Sequence, residues 1–197
     1  MKAGEDRWLD RWLPLITRKA GTLPVLELGC GEGRDSATLI DAGLSVVGFD
    51  LNTNAVSAAT RNNPTGIFYS ADIRSELRAV EATYPVVLAS LSLHYYSWRE
   101  TRSIVRQIYR LLGNEGLLLV RVNSSEDKNY GATGHAEVEA GYFQVGDLKK
   151  RFFTDPMLTE LFAEPWTEVN REKTTIHRYS RPKVVWEIVL TKSGSFA

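Results

Sequence analysis

The sequence predicts an α/β fold, a doubly wound and mostly parallel sheet with helices on both faces. Two observations carry that prediction. Short apolar runs alternate with segments of helical spacing from Pro24 to Val122, the pattern of repeated strand–helix units. The first run ends in a glycine-rich turn, Gly29-Cys30-Gly31-Glu32-Gly33, that opens directly into a helical segment. Such a turn lets a ligand lie against bare backbone at a helix N-terminus.

Glu5 to Thr17 sets Trp8, Leu9, Trp12, Leu13 and Ile16 on one face, which predicts an amphipathic helix. It either packs on the domain or lids its cleft. Pro24–Leu28 is the first strand, and Arg34–Ala42 a helix stopped by Gly43. Ser45–Phe49 is the second strand, ending on Asp50, and Asn52 caps a helix running to about Asn62. Gly66–Ser70 and Pro85–Ser90 are the third and fourth strands. Trp98–Leu112 is a long helix closed by Gly113, and Leu117–Val122 is the fifth strand. The segment at about 123–151 is polar and weakly periodic, which inside a compact domain points to a functional or mobile loop. Thr154–Phe162 returns to helix, and Val184–Leu190 is the last strand.

At 197 residues, 43% hydrophobic and 24% charged, the chain reads as one ordinary soluble domain spanning residues 1–197. Lys and Arg balance Asp and Glu at 24 each. That disfavours a long polyanionic partner such as nucleic acid, which selects a basic stripe. The lone cysteine, Cys30, gives neither an internal disulfide nor a CxxC zinc pair, as suits a reducing compartment. Met1 to Thr17 lacks a signal-peptide apolar run, and no stretch reaches the ~20 apolar residues of a membrane span. The expectation is a cytoplasmic protein with no membrane partner and, beyond the acids of the turn, no clustered metal ligands.

The chemistry concentrates at the strand ends. Counted from Gly29, the sixth position is Arg34, so the G-x-G-x-x-G of a dinucleotide site is absent. Glu27, Glu32 and Asp35 crowd the turn with negative charge, which repels a pyrophosphate and suits a cationic ligand. Asp50 ends the second strand, where a carboxylate can accept from ribose hydroxyls. Asp72 ends the third, where it can accept from an adenine amino group with Ile73 against the ring. Each acid alone is as well explained by helix-end electrostatics; three at successive strand ends beside the turn form a set.

This set resembles the class I S-adenosylmethionine-dependent methyltransferases over roughly the first 125 residues. Glu27–Gly33 matches that family's first motif, Asp50 and Asp72 its strand-end acids, Ser90-Leu91 its fourth-strand end, and Gly113–Gly116 its turn into the fifth strand. More loosely, Gly29–Ser36 is similar to bacterial small-molecule methyltransferases of the tellurite-resistance type. The resemblance implies a Rossmann-like seven-stranded sheet of order 3-2-1-4-5-7-6, its last strand antiparallel in a C-terminal hairpin. It implies S-adenosylmethionine as cofactor, with S-adenosylhomocysteine as product. The cofactor set would be Glu27, Gly29, Cys30, Gly31, Gly33, Asp50, Leu51, Asp72, Ile73, Ser90 and Leu91.

The expected acceptor is a small molecule methylated at N, O, S or a metalloid by in-line displacement. His94, in Ser90-Leu91-Ser92-Leu93-His94-Tyr95-Tyr96, is the candidate base, or else a helix-flanking or packing histidine. Tyr95, Tyr130, His135 and Tyr142 are candidate substrate contacts. The last three stand in the polar segment, which either closes over the cleft or is solvated. Arg121, unusual inside an apolar strand, either binds an anionic group or pairs with an acid. Cys30 sits in the turn and is no free thiolate for pyrimidine-carbon methylation. No Asn/Asp-Pro-Pro-aromatic motif of the amino-methylating nucleic-acid branches follows the fourth strand. An RNA or protein methyltransferase, a nicotinamide-dependent oxidoreductase and a non-catalytic cofactor binder are the alternatives.

Overall fold

The structure, a computed structural model, describes residues 6–75 and 84–193. The elements are α1 (Leu13–Ala20), β1 (Val25–Leu28), α2 (Arg34–Asp41), β2 (Val46–Asp50), α3 (Thr53–Asn62) and β3 (Ile67–Ser70). After them come β4 (Tyr84–Ser90), a 3-10 turn at Leu93–Tyr95, α4 (Trp98–Leu111) and β5 (Leu112–Asn123). The chain ends with β6 (Ala136–Glu139), β7 (Tyr142–Val145), β8 (Leu148–Arg151), α5 (Asp155–Leu161), β9 (Trp166–Ile176) and β10 (Lys183–Lys192).

Seven strands form one sheet in the order β3-β2-β1-β4-β5-β10-β9. The first five run parallel, and β10 is antiparallel to both its neighbours. Counting only this sheet's strands, that is the expected 3-2-1-4-5-7-6 order. Side chains alternate between two cores, as the strand repeat requires. Leu26, Leu28, Val87, Leu118 and Val120 pack with Ile104 and Ile108 of α4 and Leu158 of α5 on one face. Val25, Val86, Leu88, Leu117 and Leu119 pack with Ile16, Ala20 and Leu39 of α1 and α2 on the other. Strands covered on both faces read as unbroken apolar runs, which is why β1, β4 and β5 stand out in the sequence. Among the described residues no helix is long and apolar enough to cross a membrane.

Three expectations need correction. The N-terminal helix is Leu13–Ala20 rather than Glu5–Thr17, and Glu5 lies outside the described residues. Pro14 has no N–H to donate to the carbonyl four residues earlier, so the ladder cannot run through it and the helix begins beside it; Arg7 to Trp12 form turns instead. The fifth strand begins at Leu112, directly after α4, and its register on β4 jumps from Tyr84/Leu112 to Val86/Leu117. The polar 123–151 segment contains a three-stranded antiparallel sheet, β6-β7-β8. Its strands, AEVE, YFQV and LKKR, carry too little apolar alternation to announce themselves. Their return is secured by Phe152 and Phe153, both wholly buried.

Candidate functional site

At the carboxyl edge of β1 the chain turns through Gly29, Gly31 and Gly33, all at positive φ. A Cβ on Gly29 would stand 2.4 Å from the Ser92 Cβ, whereas one on Gly31 would meet nothing within 4 Å. Gly29 is therefore imposed by the close approach of the 3-10 turn. Gly31 is imposed by its backbone (φ 53°) and faces open space, the cradle a ligand needs.

The turn is held from below. Gly29 and Cys30 donate to the Phe49 carbonyl at 2.7 and 2.9 Å. Gly31 N–H donates to Asp50 Oδ2, and Asn52 N–H to Asp50 Oδ1, each at 2.8 Å. Asp50 thus ties the turn after β1 to the cap of α3, while each of its oxygens keeps a further lone pair for a ligand.

Glu27 sits beneath the turn with only 2% of its surface exposed and accepts from the Ser36 hydroxyl. Burial pushes its carboxyl up from 4.5 to about 8; the charges of Asp35 and Asp50 add to the rise, while the Ser36 hydrogen bond and Arg178 oppose it. A buried acid in this state ionises when a cation arrives. The Cys30 thiol is pushed up to about 12, first by burial and then by Glu27 and Asp50, and is inert.

The other expected cofactor positions lie along the same edge. Asp72 is gripped by Arg74 through Nε and Nη2, at 3.0 and 2.6 Å, and that pairing holds its carboxyl below the usual range. Ile73 is buried and Leu51 exposed. The Ser90 hydroxyl is buried with no hydrogen-bond partner among the described residues. Leu91 holds φ at 56°, a left-handed conformation that costs a non-glycine residue on the order of 1 kcal/mol or more. Such stored strain marks this strand end as a position fixed by its surroundings.

His94 is 2% exposed, and its Nδ1 has no hydrogen-bond partner among the described residues. Burial, then the charges of Lys183 and Lys150, hold its pKa well below 6.5, so the imidazole is neutral. The Tyr95 ring stands beside it, centroids 4.3 Å apart. Tyr142 is brought to this turn as a support: its hydroxyl donates to the Tyr95 carbonyl at 2.8 Å, beneath the Arg151 guanidinium. Tyr130 is held on the β9–β10 connection, its hydroxyl donating to the Arg181 carbonyl at 2.9 Å. His135 is exposed at the start of the small sheet and makes no side-chain hydrogen bond among the described residues.

The structure adds residues that sequence reasoning did not single out. Asp6 accepts from the wholly buried Arg121 at 2.8 Å and from Arg178 at 3.3 Å, so Arg121 pairs with acids, Glu187 being the second. Trp8 donates to Asp35 at 3.2 Å and covers the Arg121 guanidinium. A cleft of about 550 Å³ runs between this N-terminal strap and the β9–β10 hairpin. Lys183 and Tyr179 complete the hairpin turn. The signal for them was His177-Arg178-Tyr179-Ser180-Arg181-Pro182-Lys183, a basic and aromatic turn. The pairing of Val185 with Asn123 brings it to the carboxyl edge of β5.

Comparison with known proteins agrees with this geometry. Residues 25–116, β1 through the start of β5, match a protein family described as a methyltransferase domain. A putative methyltransferase, YqeM, of Bacillus subtilis is 29% identical over 125 residues, 61% of this chain and 49% of that protein. An uncharacterized methyltransferase of Synechocystis is 30% identical over 114 residues, 58% of this chain and 53% of that protein. The chain spans about half the length of the curated relatives it matches. An S-adenosylmethionine-dependent methyltransferase from Methanosarcina mazei superposes with a TM-score of 0.79 at 19% identity, covering 92% of this chain and 98% of its own. In sheet order and in the turn after β1 the chain has the fold of the class I S-adenosylmethionine-dependent methyltransferases, and its residues 25–116 resemble a methyltransferase domain.

Proposed function

We propose that the protein binds S-adenosylmethionine at the Gly29–Gly33 turn and transfers its methyl group to a nucleophilic N, O, S or metalloid atom of a small-molecule acceptor. The observation that carries this reading is the pairing of an open glycine cradle with a buried, protonated Glu27 beneath it. The cofactor, when bound, supplies an electrophilic methyl on a positively charged sulfur. The chain's own residues bind and orient. Glu27 offers a carboxylate to the ammonium of the methionine part, Asp50 its spare lone pairs to the ribose, and Ile73 an apolar wall to the base. Asp72 serves the amino group of the base once Arg74 shares it. Gly29, Cys30, Gly31, Gly33, Leu51, Ser90 and Leu91 shape the backbone around them.

Displacement at a methyl group needs alignment more than acid–base help, and orientation alone can lower such barriers by up to about 7–11 kcal/mol. His94, neutral and buried, accepts a hydrogen bond from the acceptor's O–H or N–H and so aims its lone pair; Tyr95 and Tyr130 wall the acceptor. An imidazole with so low a pKa is a weak base, so acceptors that are already ionised or softly nucleophilic are favoured.

Calorimetric titration with S-adenosylmethionine, S-adenosylhomocysteine and NADH tests the reading. Both sulfur ligands are expected to bind and NADH is not. Asp50→Asn should weaken binding by at least about tenfold, roughly 1.4 kcal/mol, while the thermal midpoint shows that the turn survives. Binding of NADH alone, or of none of the three, would overturn the proposal.

A further inference from the structure

Beyond the cofactor edge, two neighbouring lysines are weakly partnered within the described residues. Arg121 has Asp6 and Glu187, Arg178 shares Asp6, and Arg11 has Glu172 and Glu187. Lys183, only 5% exposed, has Asp127 alone at 3.9 Å, beyond hydrogen-bond length, and Asp127 Oδ2 itself lacks a hydrogen-bond partner among the described residues. Lys150 makes no ion pair among the described residues. β8, which carries Lys150, packs against the 3-10 turn that carries His94, and both lysine charges are felt at the imidazole. Two lysine charges therefore reach the neighbourhood of a buried histidine whose Nδ1 has no hydrogen-bond partner among the described residues.

The walls of this place are aromatic and fixed. The Lys183 Nζ lies 4.7 Å from the Tyr130 ring centre and 5.5 Å from that of Tyr179, and the two rings are 5.6 Å apart. Tyr130 is locked by hydrogen bonds to both backbone groups of Arg181, and Asn129 ties the same turn through the Pro182 carbonyl at 2.8 Å. The place also adjoins the cofactor edge, because the 3-10 turn that carries His94 crowds Gly29 through Ser92.

We infer that Lys150 and Lys183, walled by Tyr130 and Tyr179 and floored by His94, form the seat of an anionic oxygen group, a carboxylate or an oxyanion, on the methyl acceptor. This inference rests on the methyltransferase reading and narrows its substrate class to small anions with a flat or compact body. A buried ammonium whose nearest carboxylate stands beyond hydrogen-bond length at 3.9 Å still costs desolvation, and burial brings Lys183 down to about 8 against the raising charge of Asp127. An incoming anion relieves that cost. The rings exclude water around the pair, and a charge-assisted hydrogen bond gains strength in such surroundings.

The test uses benzoate, benzamide and inorganic phosphate as probes, titrated into the protein saturated with S-adenosylhomocysteine. Benzoate is expected to bind, and benzamide, the same shape without charge, at least about tenfold more weakly, the loss of one hydrogen bond to a charged group. Lys183→Gln should weaken benzoate by a similar factor. Lys150→Gln, at a partly exposed position that is safe for folding, should weaken it about three- to tenfold, as a more screened charge would. S-adenosylhomocysteine affinity should be unchanged in both variants. Phosphate that displaces benzoate assigns the seat to oxyanions at large; phosphate that does not assigns it to carboxylates, and either supports the inference. Absence of benzoate binding, equal binding of benzamide, or full benzoate affinity in Lys150→Gln would overturn it. Failure of S-adenosylhomocysteine to bind strikes the cofactor reading instead, and the probe titrations then proceed on the protein alone.

Discussion

On the proposed reading, Glu27 makes cofactor binding a proton-release reaction. Its carboxyl stands at about 8 in the folded protein against 4.5 when exposed. At pH 7 it is about nine-tenths protonated, by the ordinary titration relation. A ligand that places an ammonium beside it requires the ionised form, so binding at pH 7 should release close to one proton. Affinity should rise by up to about fiftyfold from pH 6 to pH 8, as the ionised fraction grows from about 1% to about half. The assay is calorimetry of S-adenosylhomocysteine in phosphate and in Tris, whose ionisation enthalpies differ, so that the dependence of the observed heat on buffer gives the protons released. Glu27→Gln should release none and show a flat pH profile. The same residue sets a stability gradient of defined sign. Between pH 4.5 and 8 the unfolded chain has lost this proton and the native state keeps it, so Glu27 lowers stability as pH rises through that window. The full effect is on the order of 5 kcal/mol at 1.36 kcal/mol per unit, and Glu27→Gln should remove it. The variant would then match the parent near pH 4.5 and exceed it above pH 8. Buffer-independent binding heats at pH 7 would refute the assignment of Glu27 to the ammonium. A urea midpoint difference that does not grow with pH would refute its buried, protonated state.

Other outcomes follow from the same geometry. Gly29→Ala should cost about 2–4 kcal/mol in urea denaturation, because a positive φ adds to a Cβ contact at 2.4 Å that forces the Ser92 backbone to shift. Gly31→Ala, strained at φ alone, should cost only about 1–2 kcal/mol; equal costs would show that the 3-10 turn does not crowd Gly29. Arg121→Gln should destabilise by about 1–3 kcal/mol, since Asp6 and Glu187 lose their buried partner and keep only the more exposed Arg178 and Arg11. A loss under about 1 kcal/mol in the same assay would mean that the strap is not anchored there.

What the sequence disclosed and what it hid divide along a physical line. The parallel strands are buried on both faces, so Val25–Leu28, Tyr84–Ser90 and Leu117–Val122 speak through composition alone. Asn52 and Ser97 cap α3 and α4 with their own side chains, a signal that is local by nature. The small sheet escaped because LKKR and AEVE are solvated strands whose order comes from backbone pairing and from Phe152 and Phe153 behind them. The edge strand β9, WTEVNREKTTI, is polar along most of its length and charged at its centre, as an exposed edge is expected to be, and so lacked an apolar run.

The same division separates the two halves of the site. The proposed cofactor positions from Glu27 to Ile73 come from successive strand–turn–helix units, each contributing a short motif at a strand end, and they can be read in order along the chain. The acceptor side is assembled from segments far apart. Lys183 meets Tyr130 across 53 residues, and Asp6 meets Arg121 across 115 residues. No spacing rule joins such positions, because their proximity is set by the antiparallel return of β10 along β5. The register that pairs Val185 with Asn123 lands Lys183 and the Arg178–Pro182 turn beside the His94 turn. A one-residue slip of that pairing would turn every β10 side chain to the other face and remove Lys183 from Tyr130. On the proposed reading, acceptor specificity is a property of hairpin register, and substitutions in β10 that leave the cofactor turn untouched should alter which acceptor is bound.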